Sequence, residues 1–162
     1  GHQNIAIIEG TTHFKSSQER KNGYLKALME FKLPILPEYM VKGNYDMESG
    51  FEGMKTLLAL DNCPTAVFCS NDDMAIGAMK AIHEEGLAIP ADISIIGFDD
   101  IGFSEYTSPA LTTVKRPIEE ISMVGAEKLL QVMDEGKGGE GTTFLTTNVV
   151  TRHSVADVKK DS

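Results

Sequence analysis

The sequence predicts an α/β fold, a doubly wound parallel sheet with helices on both faces. Three observations point there. Short runs rich in Ile, Val and Phe alternate along the chain with segments of helical period. These runs are nearly continuous in apolar character, as strands covered on both faces should be. Most of them end in polar or turn-forming residues just ahead of a helix start. No internal repeat or heptad pattern competes with this reading.

The elements follow in order. Residues 4–9 (NIAIIE) read as a buried strand. Residues 16–32 read as a helix, with Ser16 and Glu19 in capping-box spacing and Pro34 as a stop. Residues 38–42 form a short strand. Asp46 caps a helix whose apolar face is Met47, Phe51, Met54 and Leu58. Residues 65–70 (TAVFCS) are the next buried strand. Residues 72–85 form a helix burying Ala75, Ala78, Met79 and Ile82, with Gly86 just past its end. Residues 93–98 (ISIIGF) are another strand, and residues 111–115 are extended. Pro117 opens a helix that runs to Glu135, since a missing N–H is harmless in a first turn. Residues 136–141 form a Gly-rich linker, residues 144–151 a final strand, and residues 156–162 a polar, frayed tail.

A chain of 162 residues suffices for one domain with a real core. No apolar run approaches the roughly 20 residues of a membrane span, and no basic-then-apolar leader opens the chain. The net charge of −9, with 15 Lys and Arg against 24 acids, argues against nucleic-acid binding by this segment itself, because such binding draws on cations against phosphate. Cys69 lies in an apolar run and Cys63 precedes Pro64 at a turn. They make no disulfide framework and fit a reducing compartment.

Ligands of doubly wound sheets bind at the carboxyl ends of the strands. Thr11, Thr12, His13 and Phe14 follow the first strand and lead to Arg20. Asn44, Tyr45 and Asp46 follow the second, Asn71, Asp72 and Asp73 the third, and Asp99 and Asp100 the fourth. A set of one Arg, one Asn, several Asp and an aromatic suits a small polyol. Carboxylates accept from hydroxyls, a guanidinium donates, an amide does both, and a ring covers the C–H face of a pyranose. Each residue also has a plainer use: Asn71 and Asp72 as helix caps, Asp99 and Asp100 as turn residues, Arg20 as a solvated helix residue, Tyr45 as packing.

Other chemistries fit worse. The first strand ends Glu9-Gly10-Thr11, without the acidic pair of a phospho-acceptor domain. Neither GxGxxG nor GxxxxGK[ST] follows a strand. His2, His13, His83 and His153 show no metal spacing. Ser70 and Ser104 have no His/Asp relay nearby in sequence. The reading is therefore of a binding module that is not an enzyme and uses no cofactor or metal.

Longer blocks carry a family resemblance. They are Gly1-His2, residues 19–24 (ERKNGY), residues 64–66 (PTA) leading to 70–78 (SNDDMAIGA), residues 89–100 (IPADISIIGFDD), residues 111–114 (LTTV) with Pro117, and residues 149–154 (VVTRHS). Over residues 1–155 the chain resembles the effector-binding domain of LacI/GalR-type transcription regulators, which has a periplasmic-binding-protein-like fold. The resemblance implies a sugar-like effector. It implies effector-binding roles for Arg20 in R-x-x-G-Y, Asn71 in N-D and Asp99 in D-D. Tyr45, Ser16 and Phe14 fall at positions that touch the ligand in some members. The helix from Met74 to Glu85 and the segment around Tyr106 fall where family members pair as dimers.

The resemblance further implies that residues 1–155 are the second subdomain plus the segment crossing between the two, in a cytoplasmic regulator. Operator DNA would be bound by a headpiece outside this chain. The helix from Pro117 would then lack its usual partner, and repacking onto this chain or onto a neighbouring copy would bury Ile121, Val124 and Leu130. The alternative is a periplasmic sugar-binding protein of a transport system, which shares the fold.

Overall fold

The computed structural model describes residues 1–135 and 141–158. The linker expected at 136–141 lies outside these except for Gly141, as does the tail beyond Val158. Six strands form one sheet: β1 (Ile5–Glu9), β2 (Met40–Lys42), β3 (Ala66–Cys69), β4 (Ser94–Asp99), β5 (Thr112–Lys115) and β6 (Asn148–Val150). Their order is β2-β1-β3-β4-β5-β6. The first five are parallel, with Ile7 beside Met40 on one side and Phe68 on the other. β6 runs antiparallel to β5, Val149 opposite Val114. The sheet is thus mostly rather than wholly parallel. The final strand is shorter than the expected 144–151, and Phe144 stands 91% exposed outside it.

Alternation along β1 divides the core. Ala6 and Ile8 face α2 (Met47–Leu58) and α3 (Asp72–Glu84), where Met54, Leu57, Met74, Ala78 and Ile82 are fully buried. Ile7 faces α1 (Lys15–Glu30) on the other side, against Tyr24 and Leu28. Burying each such aliphatic side chain stabilises the fold by about 2 kcal/mol before chain entropy is counted.

Helix ends follow local chemistry, with two departures from expectation. Asp46 caps α2, accepting from Ser49 N at 2.7 Å, and Gly86 (φ 74°) ends α3 with Leu87 N donating to Ile82 O, the expected left-handed stop. The capping box at Ser16 and Glu19 does not form. α1 starts a residue earlier after Phe14, with no side-chain cap, and Glu19 pairs with Lys15 at 3.5 Å instead of turning back. α1 stops at Glu30, where Lys32 (φ 55°) lets Leu33 N reach Leu28 O at 2.8 Å.

The buried face of α2 also differs. It is Gly50, Gly53, Met54 and Leu57, while Met47 is 46% exposed. Glycines set this face because α3 lies against α2 backbone to backbone. A Cβ at Gly50 would collide with the Met74 backbone, and one at Gly77 with the Met47 carbonyl.

α4 (Ile118–Glu135) leaves the sheet after Arg116 and Pro117. Among the described residues it packs closely on no strand or helix. The expected repacking onto this chain does not occur: Ile121 and Leu130 are 43% and 60% exposed, and only Val124 is half-buried. The tail is held at its start. The His2 ring lies 3.1 Å from the Ala156 carbonyl, and Ala156 N donates to Ser94 Oγ.

Asp72 is not the cap of α3. Asn71 takes that role, accepting from Met74 N at 3.0 Å. Asp72 is fully buried and accepts from Ile101 N at 2.9 Å, Ser104 Oγ at 2.7 Å and Thr113 Oγ1 at 2.5 Å. Gly97 leaves room for it, since a Cβ there would overlap its carboxylate.

Two stability outcomes follow. Gly77→Ala should cost about 1–3 kcal/mol by forcing α2 and α3 apart, read as a fall in urea midpoint at unchanged slope. Asp72→Ala should cost at least about 3 kcal/mol, because three donors, two of them buried, lose their acceptor at once; a melting temperature within a degree of wild type would contradict this.

Candidate functional site

β1 has β2 on one side and β3 on the other, so the chain reverses its winding between β1 and β3. The carboxyl ends there diverge and open a crevice. Around it the structure collects four of the six expected residues. Arg20 on α1 donates to Tyr45 Oη at 3.3 Å and lies 3.9 Å from Asp99 Oδ1. The Phe14 and Tyr45 rings meet edge-tilted at 6.1 Å.

The other two stand differently. Asn71 is 7% exposed, and its amide donates to the Tyr45 carbonyl at 3.0 Å while its oxygen caps α3. Capping and positioning are therefore one role, which holds the Tyr45 backbone. Ser16 is exposed and lines the same cavity as Arg20, without contact to the others.

The hydroxyl end of the Tyr45 ring lies against Gly10. A Cβ on Gly10 would collide with the ring and its hydroxyl, so only glycine lets the phenol reach Arg20. Tyr45 (φ 65°), Asp99 (φ 120°) and Asp100 (φ 58°) all hold left-handed backbone conformations. Among the described residues the one other non-glycine case is the helix stop at Lys32. Such conformations cost about 1–3 kcal/mol each and persist where surrounding contacts fix them, typically at functional sites.

The adjacent aspartates part company. Asp100 turns to Arg152, 2.7 Å away, whose other nitrogen donates to the Leu111 carbonyl. This clamps the C-terminal segment. Asp99 turns to the crevice, where Arg116 Nε stands 2.7 Å from Oδ1. The N–H points off that line, so the contact is an ion pair without a hydrogen bond. Burial pushes the Asp99 carboxyl above its ordinary range, against the pull of Arg116 and Arg20.

Beneath these groups lies a second anchor. Glu9, 5% exposed, pairs with Lys21 at 2.7 Å, and Tyr24 donates to the Ile5 carbonyl at 2.8 Å. Burial first, then the Glu9 charge, raises the Tyr24 phenol to about 12. Together they dock α1 on β1 and set the position of Arg20.

Sequence reasoning missed Arg116 and Phe98. The Arg20 guanidinium lies over the Phe98 ring at 4.1 Å, so Phe98 supports it. Arg116 follows β5 directly. The strand-end rule applied to the fifth strand would have found it. Thr11 Oγ1 and Ser70 Oγ, at the ends of neighbouring β1 and β3, are buried without hydrogen-bond partners.

Arg20, Phe98, Arg116 and Pro117 border an open cavity of about 680 Å³ that Ile121 and Val124 of α4 also line; Tyr45 and Asn71 lie outside its lining, and Asp99 lines a neighbouring pocket with Arg116, Glu119 and Glu120. That volume is in the range of small-molecule sites. Among the described residues no cluster of His, Cys, Asp or Glu could hold a metal, and no helix is long and apolar enough to cross a membrane.

Comparison with known proteins agrees with this geometry. The model of the periplasmic binding protein-like domain matches residues 1–155. The chain is 61% identical over 155 residues to the probable HTH-type transcriptional repressor ExuR of Bacillus subtilis, covering 96% of this chain and 46% of that protein. It thus spans about half the length of that relative. A sugar-binding transcriptional regulator of the LacI family from Escherichia coli, solved with phosphate, superposes with a TM-score of 0.85 at 38% identity, over 96% of this chain and 55% of that one. The Lac repressor dimer bound to operator and the anti-inducer ONPF superposes with a TM-score of 0.89 at 34% identity, over 97% and 54%. The chain belongs to the periplasmic binding protein-like domain family, in the form carried by LacI-type transcriptional regulators.

Proposed function

We propose that residues 1–155 are the second subdomain of an effector-binding domain plus the segment that crosses between its two subdomains, in a bacterial transcription regulator. It takes a small sugar-like effector and thereby changes the operator affinity of the whole protein. The cluster of Arg20, Tyr45, Asp99 and Arg116 at the strand ends carries this reading. It offers donors, acceptors and a ring around one crevice, held by strained backbone, with no nucleophile-and-base pair among its members. Binding modules need such convergence, whereas an enzyme would also need a reacting group.

The roles divide as follows. Arg20 donates to effector hydroxyls, Asp99 accepts from them, and Tyr45 with Phe14 covers a C–H face. Asn71 contributes its remaining amide hydrogen and holds Tyr45. Ser16 lies at the rim. A second lobe would cover the effector from the other side, and closure would shift the population between two states of the regulator.

Operator contact belongs to a segment outside this chain, since a net charge of −9 opposes phosphate binding here. Pairing of two copies would use the outer face of the Met74 to Glu85 helix, where Lys80, His83 and Glu84 are exposed, and the segment carrying Phe103 and Tyr106, 57% and 73% exposed. The setting is the cytoplasm. The repressor names of the relatives support a regulator over a transport protein.

In the full-length regulator, Arg20→Ala and Asp99→Ala should each abolish the effector response while operator binding persists, measured by a reporter assay alongside gel-shift titration. Normal induction in both variants would sink the site assignment. Gly10→Ala should lower effector affinity at least about tenfold by displacing the Tyr45 ring, with a much smaller effect on operator affinity; titration calorimetry would read it.

A further inference from the structure

Asp99 and Asp100 stand side by side in left-handed backbone, at φ 120° and 58°. A free chain would leave both conformations, so contacts around the pair must hold the turn. Behind it, Ile101 N donates to Asp72 Oδ2 at 2.9 Å. Arg20 and Arg116 hold the Asp99 carboxylate from the crevice side. The remaining handle is Asp100, and its short partner is Arg152.

Arg152 lies just past β6, and its guanidinium ties two segments together. One terminal nitrogen donates to Asp100 Oδ1 at 2.7 Å and the other to the Leu111 carbonyl at 2.8 Å. The two side chains of the ion pair are 17% and 11% exposed, so water and salt compete little for it. Lys115, the other cation at Asp100, stands 3.6 Å away and is 61% exposed, which makes its hold weak. Arg152 lines neither cavity at the crevice. Its influence there runs through Asp100.

The backbone that carries Arg152 is itself pinned. Arg152 N donates to Thr112 Oγ1 at 2.9 Å, and His153 N donates to the Ala110 carbonyl at 3.0 Å. Ser154 is fully buried and bridges β4 and β5. Its Oγ donates to the Ile95 carbonyl at 2.7 Å and accepts from Thr112 N at 2.8 Å. The segment after β6 thus reaches the turn after β4 as a strut with fixed footing. A planar fork held at both arms loses little further freedom in bracing that turn.

We propose that Arg152 is a positioning residue of the effector site: through Asp100 it holds the turn that aims Asp99 into the crevice. This rests on the reading of Asp99 as an effector contact. Its test contains no effector, so failure of the positioning role and failure of that reading are distinguishable.

The experiment is an NMR titration of the Asp99 carboxyl carbon in the full chain, paired with amide hydrogen exchange. In the unaltered protein burial is the largest influence and raises the Asp99 carboxyl above its ordinary range; Asp72 adds to this, and Arg116 and Arg20 oppose it. Arg152→Met should let the turn swing out to water and bring the Asp99 midpoint down toward the ordinary carboxylate range. The sign is decisive. Loss of a cation from an unmoved turn would raise the midpoint, since nearby positive charge favours the carboxylate.

In the same variant the Ile101 amide should exchange at least about tenfold faster, while the Thr112 amide, bound to Ser154, keeps its rate, because the release is local. Lys115→Met should change neither readout. Arg152→Lys, whose ammonium still reaches Asp100, should restore most of both. Arg152→Gln supplies the same two readings if the methionine variant does not fold. An Asp99 midpoint that stays or rises would overturn the proposal. So would Ile101 and Thr112 amides accelerating together, or Lys115→Met matching Arg152→Met.

Discussion

A carboxylate buried at the start of α3, with no ion-pair partner among the described residues, holds the arrangement together. Asp72 stands at the first turn of α3 and accepts from the backbone after β4, from the serine of the following turn and from the threonine of β5. Burying a polar group without partners costs several kcal/mol, and in this position three hydrogen bonds offset that cost. The three donors come from chain segments 29 to 41 residues away. One side chain therefore fixes where β4 ends relative to β3 and β5, and with it the direction in which Asp99 and Asp100 diverge. Gly97 belongs to the same device, because any side chain there would displace the carboxylate.

The crevice inherits this rigidity. Asp99 holds a backbone conformation that a free chain would leave, and Asp100 does the same one residue on. Neither could persist without contacts on both sides: the Asp72 network behind, Arg152 on one flank, Arg20 and Arg116 on the other. Strain stored this way orients a binding group before the ligand arrives, so less ordering entropy is lost on binding. Tyr45 is held comparably, by the Asn71 amide at its carbonyl, Gly10 beneath its ring and Arg20 at its hydroxyl.

Much of this was legible in the sequence. Continuous apolar runs gave the strands and their covered faces, and the residues after four strands included Arg20's neighbours in space, Tyr45, Asn71 and Asp99. What escaped had physical causes. The α2 face was misread because periodicity counts apolar side chains, and here glycines were buried by close backbone approach. Asp72 looked like a cap because caps and buried acceptors draw on the same residue types. The antiparallel β6 could not be told from a parallel strand by composition. α4 has an amphipathic pattern but packs closely on no strand or helix among the described residues, so periodicity alone misled the packing expectation.

The net charge of −9 says little about the crevice, where individual pairs decide. Charges on the surface are screened over about 8 Å at physiological ionic strength. Arg20 has only 13% of its side chain exposed and lies within 4 Å of its partners, where screening is weak. Other acids are already engaged: Glu9 pairs with Lys21, Asp100 with Arg152, and hydrogen bonds from Ser49 hold the Asp46 carboxyl below the usual range. Asp99 is the exception that proves informative, because burial raises its carboxyl while two arginines lower it. Two guanidinium groups thus hold one partly buried carboxylate between them, which fixes Asp99 in the crevice whatever the sign of the surface around it.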